Sequence, residues 1–108
     1  MSLHHTPVDL LALSQSLPRA WASTVVDRPA GVNLKVLRMS EDAYPAEVHD
    51  FAEALLVLEG CMRLDVDGCI IEVHAGQVLT VPPGVPHAVA PGSHGSLVII
   101  DPLSPTCF

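Results

Sequence analysis

Basic side chains are the scarcest chemical class in this sequence: five lysines and arginines stand against twelve aspartates and glutamates, for a formal net charge of -7. So few cations cannot build the basic stripe that neutralises phosphates, which argues against nucleic acid or an anionic membrane as a partner. Long apolar runs are missing too. The longest, residues 54–58, is far below the roughly 20 residues that a membrane-spanning helix needs. The opening Met1-Ser2-Leu3-His4-His5 has neither the basic region nor the continuous apolar segment of a secretory signal, so a cytoplasmic location is expected.

Cysteine is sparse and odd in number. Cys61 and Cys69 flank a hairpin closed by Asp67-Gly68, in whose register Cys69 faces Val66 and Cys61 faces His74. At about 3.3 Å per residue the two thiols lie roughly 15 Å apart, too far for a disulfide. They are expected to be small reduced side chains, and Cys107 a free thiol. Also absent are a G-x-S-x-G nucleophile elbow, a phosphate-cradling glycine loop, a paired C-x-x-C and an H-E-x-x-H motif.

What is present is apolar. Hydrophobic residues make up 49% of the 108 positions and charged ones 16%, which fits one compact domain with a single core and excludes a disordered or fibrous chain. The apolar excess is enough to cover a subunit interface as well, so a homodimer is expected.

The chain opens with a helical signal. Thr6 reads as the N-cap, Pro7 as the first helical residue and Asp9 as the completion of the cap; Leu10, Leu13 and Leu17 recur at helical spacing, and Pro18 ends the segment. From residue 20 the period changes. Segments 20–27 and 32–39 read as strands around Arg28-Pro29-Ala30-Gly31, with Val32, Leu34 and Val36 on one face and Asn33 and Lys35 on the other, a pattern that Leu37 blurs.

Residues 40–45 form a polar connection. Residues 47–59 are ambiguous, because their helix propensity is good and a helix would set His49 and Glu53 at i, i+4. Beyond them, Met62, Leu64 and Val66 alternate with Arg63, Asp65 and Asp67, and Asp67-Gly68 is a hairpin signal. Short strand-like runs continue at 70–74, 77–81, 87–90 and 97–101, punctuated by Ala75-Gly76, Pro82-Pro83-Gly84 and the loop at 91–95. Many short strands at regular spacing predict an all-β sandwich or small antiparallel barrel carrying a short N-terminal helix.

Two spacings in this region resemble the paired motifs of the cupin superfamily. Gly76, five residues, Pro82, Pro83, Gly84, two residues and His87 follow the family's G-x5-P-x-G-x2-H. His49, three residues, Glu53, six residues and Gly60 follow H-x3-E-x6-G. The resemblance covers residues 47 to 91 and implies a jelly-roll barrel, with its family-type core at 47–101 and the helix and first strands at 6–39. Three positions depart from the pattern. Glu47 stands where the family has its first histidine, Glu41 where it has a glycine, and Pro91 where it has an asparagine.

The resemblance further implies a metal site on Glu47, His49, Glu53 and His87. Side-chain chemistry agrees, since imidazoles and carboxylates together suit Mn, Fe, Ni or Zn in the divalent state. Two carboxylates would cancel the charge of the ion, which favours a harder, more oxygen-seeking metal and weakens the pull on an anionic substrate. Asp50 could replace Glu47 or Glu53 in another local register.

The ligand expected beside the metal is a small organic molecule, with oxygenase, isomerase or lyase chemistry as the family classes. The rival is a metal-free sensing or binding domain in which protonated histidines relieve the two glutamates. His74 and His94 are expected on the surface, Trp21 and Tyr44 in core or interface packing or else at a pocket mouth, and Pro82-Pro83-Gly84 in the turn alone.

Overall fold

The computed structural model describes residues 5–103; the position of Cys107 lies outside them, as does that of His4. One short helix, α1 (Leu10–Ser16), precedes eight strands: β1 (Thr24–Asp27), β2 (Val32–Met39), β3 (Tyr44–Glu47), β4 (Glu53–Val66), β5 (Cys69–His74), β6 (Val78–Val81), β7 (His87–Val89) and β8 (His94–Pro102). All pairings are antiparallel and join the strands into one curled sheet in the order β1-β2-β8-β4-β7-β3, with β5 and β6 both paired to β4. The result is the small antiparallel barrel that the strand spacing predicts.

Strand β4 organises the barrel. Its first half lies between β6 and β8, and its second half pairs with β5 and β7. The inward face is Glu53, Leu55 and Val57 before residue 58, then Met62 and Leu64 after it, so the parity of the buried side chains flips within one strand. A register shift between Val57 and Glu59 causes the flip. Gly60 and Gly95 face each other just beyond it at φ +86° and +103°, and a Cβ on Gly60 would stand 2.1 Å from the His94 carbonyl oxygen. This extra residue resolves the ambiguity of 47–59: residues 53–59 are strand, and their helix propensity yields to pairing on both sides.

Three local expectations are corrected. The helix starts later than Thr6-Pro7, because Asp9 is itself the N-cap, its carboxylate accepting from the Ala12 N–H at 3.0 Å. The first strand starts at Thr24 rather than residue 20. On β2, Val36 and its partner Val98 are buried on the outer face of the sheet, where α1 packs against β2 and β8, while Lys35 and Leu37 face the barrel interior. The blur at Leu37 marks a strand buried on both faces, a case in which alternation cannot tell inside from outside.

The hairpin register is as expected, with Cys61 opposite His74 and Cys69 opposite Val66, and both thiols are free.

Candidate metal centre

The four candidate ligands arrive from the end of β3, the link after it, the start of β4 and the start of β7. Glu47 closes β3 and is the direct cross-strand partner of His87, which opens β7. Directly paired residues point to the same face of a sheet, so this pairing aims both side chains into the barrel. His49 is not on a strand; it follows in the link to β4, and Glu53 is the first residue of β4. The link is fixed by the turn that precedes β7, where the Gly84 N–H donates to the His49 carbonyl oxygen at 2.7 Å. Pro82-Pro83-Gly84 therefore does more than turn the chain: it ties one histidine of the site to the strand that carries the other. Phe51 stacks on the His49 ring, with centroids 4.7 Å apart and planes 13° from parallel, which orients that imidazole.

The side chains converge. Nε2 of His49 is 3.1 Å from Oε1 of Glu47 and 4.0 Å from Oε1 of Glu53, and Nε2 of His87 is 2.9 Å from the same Glu53 oxygen. Glu47, His49 and His87 each place a ligand atom within 4.8 Å of the other two. Glu53 stands outside this group of three and joins the cluster through His87 and, at longer range, His49. Asp50 is exposed and does not line the cavity, so it plays no part here.

His87 carries the most specific evidence. It is 7% exposed, and its Nδ1 lies 3.0 Å from the Val85 carbonyl oxygen, which can only accept, so Nδ1 bears the proton. In the neutral ring Nε2 then carries a lone pair. That atom is buried and has no hydrogen-bond partner among the described residues; the Glu53 oxygen is near but not aligned for a hydrogen bond. A lone pair buried 2.9 Å from a carboxylate oxygen is satisfied by a cation shared with that carboxylate, whether a metal ion or a proton. An imidazole whose far nitrogen donates to a backbone carbonyl is the usual arrangement of a metal-ligating histidine. The residues present thus fit a divalent metal ion.

These groups line one wall of a cavity of about 260 Å³. Trp21 and Tyr44 belong to its lining, their rings 5.5 Å apart, so they shape the cavity instead of only packing beneath it. Trp21 sits at φ +65°, a conformation costly for a bulky side chain, and is held there by hydrogen bonds from its backbone N–H to Arg38 and from its indole N–H to Ser40.

Sequence reasoning missed a second polar group in the cavity. Lys35 Nζ is 2.6 Å from Oδ2 of Asp101, which is buried and also accepts from Asn33 at 3.0 Å. The available signal was parity, since Asp101 shares its face with Leu97 and Ile99, and Lys35 shares its face with Leu37. His74 and His94 are exposed, as expected.

Comparison with known proteins agrees with this architecture. The family model described as Cupin domain matches residues 36–102, and the chain belongs to the cupin family. Among solved structures, a cupin-2 domain containing protein from Shewanella frigidimarina superposes with a TM-score of 0.81 at 20% identity, over 89% of this chain and 94% of that one. A protein from Neisseria meningitidis gives 0.78 at 22% identity, over 91% and 100%. A hydroquinone 1,2-dioxygenase in complex with Fe3+ gives 0.74 at 16% identity, over 83% of this chain and 30% of its own. No curated protein matches the sequence.

Proposed function

We propose that this cupin holds one divalent metal ion on Glu47, His49, Glu53 and His87 and binds a small organic molecule beside it. The observation that carries the reading is the buried Nε2 of His87, without a hydrogen-bond partner among the described residues and 2.9 Å from the Glu53 carboxylate, with its ring held by Val85. The dioxygenase that shares the fold over part of its chain was solved in complex with Fe3+, which supports a metal-holding reading of this cupin.

When bound, the ion supplies Lewis acidity toward a substrate oxygen. The protein's own side chains set what can approach. The cavity lining carries three carboxylates, on Glu47, Glu53 and Asp101, and one ammonium, on Lys35. With neutral imidazoles that is a net charge of -2, which a divalent ion brings to zero. A neutral, hydroxyl- or carbonyl-bearing molecule suits this field better than a polyanion. The volume of about 260 Å³ falls just below the usual range of ligand pockets, so the molecule is small, and Trp21, Tyr44 and Phe51 offer flat apolar surface to its body. Oxygenase, isomerase and lyase chemistry are all compatible with this arrangement.

Metal analysis after expression in metal-replete medium tests the proposal. Wild type should retain about one Mn or Fe per chain, and His87→Ala should retain none at this site. Full occupancy by Zn or Cu counts against the preference for a harder ion, and equal metal content in both proteins counts against the site itself.

The same reading includes a cytoplasmic homodimer. No helix among the described residues is long and apolar enough to cross a membrane. Leu56 and Val78 are cross-strand partners on the outer face, where Leu58 is also exposed, and together they offer an apolar stripe for a second copy. A monomeric mass in solution would refute the dimer.

A further inference from the structure

We infer that Cys61, Glu72 and His74, with His94 on the neighbouring strand, form a second cation site, for a thiophilic divalent ion such as Zn2+, on the outer face of the barrel. It is independent of the barrel site and shares no residue with it.

The bulge in β4 creates this cluster. Before residue 58 the odd positions of β4 face inward; after it, Cys61 and Arg63 face outward while Met62 and Leu64 fill the core. Cys61 then lies between two strands and is in register with a histidine on each, His74 of β5 and His94 of β8. Directly opposed residues bring their Cβ atoms to about 4.5–5.5 Å on one face, so Cys61 has a histidine on either side, His74 within the close group of ligand atoms and His94 outside it.

The ligand atoms of Cys61, Glu72 and His74 already lie within 4.8 Å of one another. Glu72 is prepared for the task. Its Oε2 is 3.4 Å from the Arg63 guanidinium, while its Oε1 turns to His74 Nε2 at 3.5 Å, so one oxygen is oriented by a cation and the other is presented to the cluster.

A thiolate, a carboxylate and one or two imidazoles form the mixed sulfur, nitrogen and oxygen set that suits Zn2+ or Co2+ and not Mg2+ or Ca2+. Binding transfers the Cys61 thiol proton to water as the sulfur-metal bond forms, and the two anionic ligands balance the ion. The barrel site holds no sulfur, so its preference for a harder ion and the preference here for a softer one separate the two by chemistry.

Co2+ is the probe, because only a thiolate ligand gives an intense sulfur-to-cobalt charge-transfer band in the near ultraviolet. In a Cys69→Ser/Cys107→Ser background, where Cys61 is the sole thiol, titration should give a saturating band. Adding His87→Ala should leave that band in place, which separates its source from the barrel. Adding Cys61→Ser should abolish it. Glu72→Gln and His74→Gln should each weaken Co2+ binding by about tenfold or more, the loss that even outer-shell changes produce, with His94→Gln shifting affinity in the same direction. Circular dichroism confirms that each variant is folded. Absence of the band, or a band whose affinity both histidine substitutions leave unchanged, overturns the inference.

Discussion

The backbone N–H of Gly84 donates to the carbonyl oxygen of His49 across 2.7 Å, joining the turn before β7 to the link before β4. Gly84 adopts φ +78° to do so, and open space surrounds the position where a Cβ would lie. Gly84→Ala should therefore cost only the backbone penalty of about 1 kcal/mol, seen as a melting temperature lowered by roughly 4–8 °C. Because the strained turn also positions His49, metal affinity should fall along with stability. Calorimetry with and without metal checks both; a metal affinity equal to that of wild type would show that the link is fixed by other contacts, such as the Phe51 stack.

The closing glycine of the first motif has a different physical basis. Gly60 and Gly95 face each other so closely that a Cβ on either would meet backbone, at 2.1 Å from the His94 oxygen or 2.0 Å from the Glu59 oxygen. Backbone cannot swing aside as a side chain can. Gly60→Ala and Gly95→Ala should each lose about 3 kcal/mol or more in urea denaturation, combining a left-handed alanine with overpacking. Gly68→Ala, at φ +91° with nothing nearby, should lose about 1 kcal/mol. Equal losses at positions 60 and 68 would remove the close approach as the reason for the glycine.

These residues show which parts of the molecule the sequence made legible. Motif spacing anticipated the meeting of Glu47, His49, Glu53 and His87, because turn glycines, prolines and the side chains between them must keep fixed intervals for β3, β4 and β7 to meet. Hairpin chemistry at Asp67-Gly68 fixed the register of β4 and β5, and with it the separation of Cys61 from Cys69. Face assignment on β2 failed, since α1 covers one side and the cavity lies on the other, leaving no solvent face to create alternation. The pairing of Lys35 with Asp101 was illegible for a related reason: the partners are 66 positions apart in sequence, on strands made neighbours only by the β2-β8 pairing.

That ion pair is testable on its own. Asp101 is buried and Lys35 is mostly so. Lys35→Met should destabilise the protein by about 3 kcal/mol, because it strands a buried carboxylate with Asn33 as its remaining partner. Lys35→Met/Asp101→Leu should recover most of the loss, since replacing both members of a buried pair with apolar groups is often neutral. Denaturant unfolding of the two variants distinguishes the cases. If the double variant is the weaker one, the pair contributes net stability to the cavity wall.

Acid should empty the barrel site in a way the geometry specifies. Ligation needs the lone pair of a neutral imidazole, so protons oppose the metal. At His87 the Nδ1 proton already serves Val85, so the incoming proton must go to Nε2, the atom that faces Glu53. Proton and metal therefore compete for the same lone pair. The sign follows: metal affinity falls as the pH is lowered, because a proton on a ligating nitrogen excludes the ion. Metal-dependent stabilisation should fade in the same direction, because a ligand bound only by the folded state stabilises it in proportion to occupancy. Melting curves with and without Mn2+ should converge as the solution is acidified, and a metal-induced shift that acid leaves undiminished would mean that the ion is held by carboxylates without His49 and His87.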